Sequence, residues 1–75
     1  MKTEDEIRTR LKELGFEGIR KRYGHRHEII LAGDGNGMRV WVHLVAQTYQ
    51  TQRILYRTHG SVEQLFTTDI TESEQ

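Results

Sequence analysis

The sequence predicts a small α+β domain of two layers, in the order α-β-β-β-β-α, with an antiparallel sheet centred on a hairpin over residues 28–45. Three observations predict it. In EIILAGDGNGMRVWVHLV, two runs rich in β-branched and aromatic residues flank a turn of glycine, aspartate and asparagine. Ahead of the hairpin, Ile7, Leu11 and Leu14 recur at helical spacing behind a capping signal. Behind it, Ser61 opens a second, shorter stretch of the same kind.

Thr3-Glu4-Asp5-Glu6 reads as a capping box, with Thr3 as N-cap and Glu6 reaching back to it. The helix it starts runs over about residues 4–14, carries the pairs Glu4–Arg8 and Glu6–Arg10 on its wet side, and ends at Gly15. A first strand follows over Glu17–Tyr23, and Gly24 turns the chain into the second. In the hairpin, Asp34-Gly35 and Asn36-Gly37 both suit a type I′ turn. Pairing Asp34 with Gly37 sets Leu31 opposite Val40, Ile30 with Trp41 and Glu28 with His43. Centring the turn on Asn36-Gly37 slides the pairing by two residues and keeps the same faces. The face with Ile29, Leu31, Val40 and Val42 is assigned to the core. The other holds Ile30, Trp41 and Val45, too much apolar surface to stay wet without a reason, so a C-terminal element or a second copy is expected over it.

Within residues 48–58, Arg53 to Thr58 reads as a fourth strand or a helical turn, and the strand is favoured because Thr48, Tyr49, Thr51, Ile54 and Tyr56 are collectively poor helix formers. Ser61 with Gln64 then caps a short helix bearing Val62, Leu65 and Phe66 on one side. Residues 67–75 read as a flexible acidic tail with Ile70 as a last anchor, and the whole of 1–75 as one domain. The element order broadly resembles that of small folds of the double-stranded-RNA-binding type.

Composition limits the chemistry. With no cysteine among 75 residues there is no disulfide framework, thiolate zinc site or thiol nucleophile. The apolar runs are short and acids follow the first residues, so neither a membrane-spanning helix nor a signal peptide is expected, and a cytoplasmic, soluble protein is. Eleven Lys and Arg balance eleven Asp and Glu, yet from Ile7 to His27 nine cationic residues, histidines included, face two acids, while from Ser61 onward there are four acids and no base.

Two candidate sites follow. Arg20, Lys21, Arg22, Tyr23 and Arg26 form the densest basic stretch, a strand and turn suited to gripping phosphates with one aromatic for a base. Ile30, Trp41 and Val45 form a candidate protein interface, toward a partner or a second copy of the chain. His25, His27 and His43 with Glu28 could hold a metal only if the strand end bent, because parity sets His43 opposite to His27. The glycine-rich 33–37 segment lacks the acids of a calcium loop and the helix of a phosphate loop, and reads as a hairpin turn. Gly24-His25-Arg26-His27 is loosely similar to the glycine-serine-histidine segment of HicA-like toxins, with the serine missing. That similarity implies a His-dependent ribonuclease, for which the expected fold supplies no converging acid/base pair. The expectation is therefore a non-enzymatic regulatory or adaptor domain without cofactor or metal. Nucleic-acid contact comes first. A protein-binding module, an inhibitor or assembly factor of the kind that viruses and mobile elements encode, comes second.

Overall fold

Thr3 starts the first helix as its hydroxyl and the Glu6 side chain dictate. The Thr3 hydroxyl accepts from the Glu6 amide at 3.2 Å, and the Glu6 carboxylate accepts from the Thr3 amide at 2.8 Å. The structure, a computed structural model, describes residues 1–72. In it α1 spans Glu4–Glu13 and stops at Gly15, whose φ of +94° closes a Schellman motif. There the Phe16 amide donates to Leu11 O and the Gly15 amide to Lys12 O, both at 3.0 Å. Five strands follow, β1 (Glu17–Tyr23), β2 (Ile29–Gly35), β3 (Met38–His43), β4 (Thr48–Gln52) and β5 (Arg57–Ser61), before α2 (Val62–Thr67). They form one antiparallel sheet in sequence order, a meander. Among the described residues, no helix is long and apolar enough to cross a membrane.

The α+β class and the central hairpin are as the sequence predicts, and the sheet has one strand more. Residues 48–58 fold back on themselves: the Arg53 amide donates to Tyr56 O at 2.8 Å and the Tyr56 amide to Arg53 O at 3.4 Å, leaving Ile54-Leu55 at the tip. The hairpin takes the second of its two possible registers. Gly35 pairs with Met38, Leu31 with Val42 and Ala32 with Trp41, around Asn36 and Gly37 at φ +55° and +71°. Asn36 decides the matter, because its Nδ2 donates to Leu14 O at 2.9 Å and so occupies a carbonyl that the end of α1 leaves free.

The core lies on one side of the sheet. Ile7 and Leu11 of α1, Leu31, Val40 and Val42 of the central strands, and Leu65 of α2 have no exposed surface. Both helices pack here. The sheet comes closest to the α1–β1 connection at Gly35, where a β-carbon would stand 2.4 Å from Gly15 O and 2.9 Å from Phe16 Cα. Arg10 ties the two helices together, donating to Leu65 O at 2.8 Å and Thr68 O at 3.2 Å. Of the segment read as a tail, the part up to Glu72 returns over the body: Ile70 is partly buried against the core and Arg53 donates to Thr71 O at 2.9 Å. Residues 73–75 lie outside the described residues.

Two predictions follow from this packing. Gly35→Ala is expected to cost about 1–3 kcal/mol, because the backbone of residues 15–16 must move, and a thermal melt should show Tm falling by roughly 5 °C or more. An unchanged Tm would mean the α1–β1 connection is not clamped. Lys21 and Arg8 beside Glu4, and the Thr3 amide on Glu6, hold both carboxyls below their usual 4.5. Both groups are exposed, so the effect is modest, but its sign is fixed. Their stabilisation is present above pH 4.5 and is lost as pH falls through the lowered values. Tm should therefore drop on acidification below that point, and Glu4→Gln should shrink the drop.

Candidate nucleic-acid interface

Side chains alternate along each strand, so the register determines which residues share a face. Three rows cross the side of the sheet that faces away from both helices. One runs Arg22, Ile30, His43, Thr48, the second Arg20, Ala32, Trp41, Gln50, His59, and the third Glu17, Asp34, Arg39, Gln52, Arg57. The basic strand and the apolar pair, read from the sequence as two separate candidates, thus lie on a single open face. Ile30 and Trp41 are half-buried there by their neighbours on the sheet, while Ala32 is fully covered. No helix, tail or other element among the described residues lies over them.

The other members of the two candidate sets are placed elsewhere. Lys21 points to the helical side, where its Nζ sits 3.1 Å from Glu4 Oε1. Tyr23 ends β1 on that same side and is largely exposed. Arg26 belongs to the tight turn His25–His27, with φ of +58°. Val45 falls in the turn between β3 and β4, exposed and off the sheet, because the chain reverses after His43. There the Gln47 amide donates to His43 O at 2.8 Å and Gln47 takes φ +60°.

Charge on the open face is unevenly matched. Asp34 holds Arg39, with Nε 2.7 Å from Oδ1, and Glu28 bonds to His43 Nδ1. Arg20, Arg22 and Arg57 make no ion pair among the described residues. The Arg57 Nε does donate to Gln52 Oε1 at 2.7 Å, which holds its guanidinium over the sheet. Trp41 stands between two shallow concavities. One, of about 440 Å³, is walled by Ile30, His43, Gln50 and His59, and the other, of about 570 Å³, by Asp34, Met38, Arg39 and Gln52.

His43 does not converge with His25 and His27. His43 is engaged by Glu28, whereas His25 and His27 sit in the β1–β2 turn, and no group of three or more His, Cys, Asp or Glu side chains suited to a metal forms among the described residues. Sequence reading missed Arg57, Gln50 and His59 as members of the face. The signal for them was alternation in β4 and β5, visible only once 48–58 is recognised as two strands. It also missed the β4–β5 tip, where Ile54 and Leu55 are 94% and 91% exposed. Compared with known proteins, the chain matches no family model, no curated protein and no solved structure.

His27 offers a test of the turn beside this face. It is held at φ +64°, a region that costs a residue with a side chain about 1–2 kcal/mol. Glycine adopts that region freely but loses more entropy on folding. His27→Gly should therefore raise stability by about 0.5–1 kcal/mol in denaturant titrations. A loss instead would show that the imidazole itself holds the turn.

Proposed function

We propose that the protein is a small non-enzymatic binding domain that contacts nucleic acid through the open face of its sheet. The supporting observation is the placement of Arg20 and Arg22, without carboxylate partners among the described residues, on the same uncovered face as Trp41. Guanidiniums bind phosphate oxygens in a planar fork, and an aromatic ring beside them gives a base a surface to stack on. Arg26, in the turn at the end of β1, adds a further cation at the same edge. The cysteine-free chain suits a reducing, cytoplasmic compartment.

A second reading, a protein-binding module, is favoured by the exposed Ile54-Leu55 tip together with Ile30 and Trp41. On that reading the face would pair with a partner or with a second copy of the chain, and Trp41→Ala would abolish a complex that forms without any nucleic acid.

Fluorescence anisotropy with labelled DNA and RNA at low and moderate salt separates the two. Nucleic-acid contact predicts affinity that falls steeply with salt. The Arg20→Glu/Arg22→Glu variant should then bind more weakly, with the slope of log K against log salt reduced by at least about 1.4 for single strands. Absence of binding at low salt would remove this reading and leave the protein-binding one.

A further inference from the structure

We infer that the ligand of the open face is single-stranded nucleic acid, laid across the strands with one base stacked on Trp41. The inference rests on the nucleic-acid reading and specifies its substrate. The row Arg20, Ala32, Trp41, Gln50, His59 runs perpendicular to the strands from one edge of the sheet to the other. At the usual strand spacing it is about 19 Å long, room for several nucleotides of an extended single strand. It ends at Arg20 on β1 and His59 on β5, each with an arginine two residues along its own strand, Arg22 and Arg57. Its middle carries the half-buried indole of Trp41. A strand lying along this row would set phosphates against both edges while its bases face the sheet.

The shape of the middle selects an unpaired base. Ala32, directly beside Trp41, carries only a methyl and is itself fully covered, and the half-buried ring is flanked by two concavities. In a duplex both faces of every base are already stacked and the pairing edges are occupied, so only the phosphates and groove edges could meet this surface. A single strand can turn a base down onto the indole. Gln50, next to Trp41 on β4, carries an amide with no hydrogen-bond partner among the described residues, so a donor and an acceptor stand beside the stacked base. Base stacking tolerates any base, so the site would discriminate strandedness more than sequence.

Trp41 is the sole tryptophan, so intrinsic fluorescence reports on the site directly. The test titrates the full chain with a twelve-nucleotide oligothymidylate, an abasic deoxyribose-phosphate oligomer of the same length and charge, and a duplex of equal length. The expected result is quenching by the oligothymidylate, with affinity about 5- to 100-fold above that of the abasic oligomer and above that of the duplex. Trp41→Ala should lose a similar factor and Trp41→Phe much less. Should the alanine variant not fold, the comparison of the three ligands on the unaltered chain still decides.

Equal affinity for the base-bearing and abasic oligomers, or tighter binding of the duplex, overturns the inference. If Arg20→Glu/Arg22→Glu still weakens binding in that case, the nucleic-acid reading survives without it. No binding of any of the three ligands at low salt overturns both.

Discussion

The contact on which the rest of the structure depends is the seating of the β2–β3 turn against the end of α1. Asn36 supplies a left-handed turn residue and, through its side-chain amide, a partner for Leu14 O, while Gly35 lets the backbone of Gly15 and Phe16 approach to where a side chain would stand. Each part needs the other. The turn fixes the register of the central hairpin, and that register sets Leu31 opposite Val42 and Gly33 opposite Val40 on the face that Ile7 and Leu11 cover. Because the same Schellman motif that frees Leu14 O also swings Phe16 into the core, the helix ends, the strand begins and the layers dock at a single place. Arg10 completes the helical layer by bonding carbonyls at the end of α2.

Committing both helices to one side leaves the other side of a five-stranded sheet without a covering layer. Such a face is ordinarily polar. Here it is polar at its edges and apolar at its centre, with Ile30 and Trp41 shielded only by their neighbours on the sheet. Part of that shielding can come from the aliphatic stems of arginine, which lie along apolar surface while the charged end stays in water. A half-buried tryptophan on a sheet face that no second layer covers is the kind of local inconsistency that marks a functional surface. The β4–β5 tip is a second one. Ile54 and Leu55 occupy turn positions that glycine, asparagine or aspartate would fill at lower cost, and they pack against nothing.

How much of this was legible follows from how local each determinant is. The ends of α1 and the start of α2 were readable because a capping box and a C′ glycine act within four residues of themselves. The bounds of β1 were readable for the same reason, with a glycine at either side. The hairpin register was not, since the segment offers two good turn dipeptides and the choice rests on a bond between Asn36 and Leu14, 22 residues apart. The reversal at 54–55 was hidden because its residues carry no turn signal. Missing it also hid Gln50, Arg57 and His59. Val45 was placed on the face by extrapolating alternation past His43, where the chain has already begun to turn. The union of the two candidate sets was implicit in parity, since Arg22 pairs with Ile30, but needed the β1–β2 register to be seen.

By net charge alone, a chain with equal numbers of acids and bases is a poor ligand for a polyanion, and the two layers show why net charge is the wrong measure. Glu63 and Asp69 belong to α2 and the segment after it, on the helical side of the sheet, while Glu4 spends its charge on Lys21 and Arg8. Packed layers stand about 10 Å apart, and the screening length at physiological ionic strength is about 8 Å. A phosphate resting at the β1 edge of the open face would therefore meet Arg20 and Arg22 at contact distance, and one at the β5 edge Arg57, with the acids of the far layer more than one screening length away. Of the acids nearer to such a phosphate, Asp34 and Glu28 are already engaged by Arg39 and His43, while Glu17, opposite Asp34 at the start of β1, makes no ion pair among the described residues and offsets one cation at that edge. Segregation of charge between the two layers makes an electrically neutral domain locally cationic, and it does so on the face that also presents the indole.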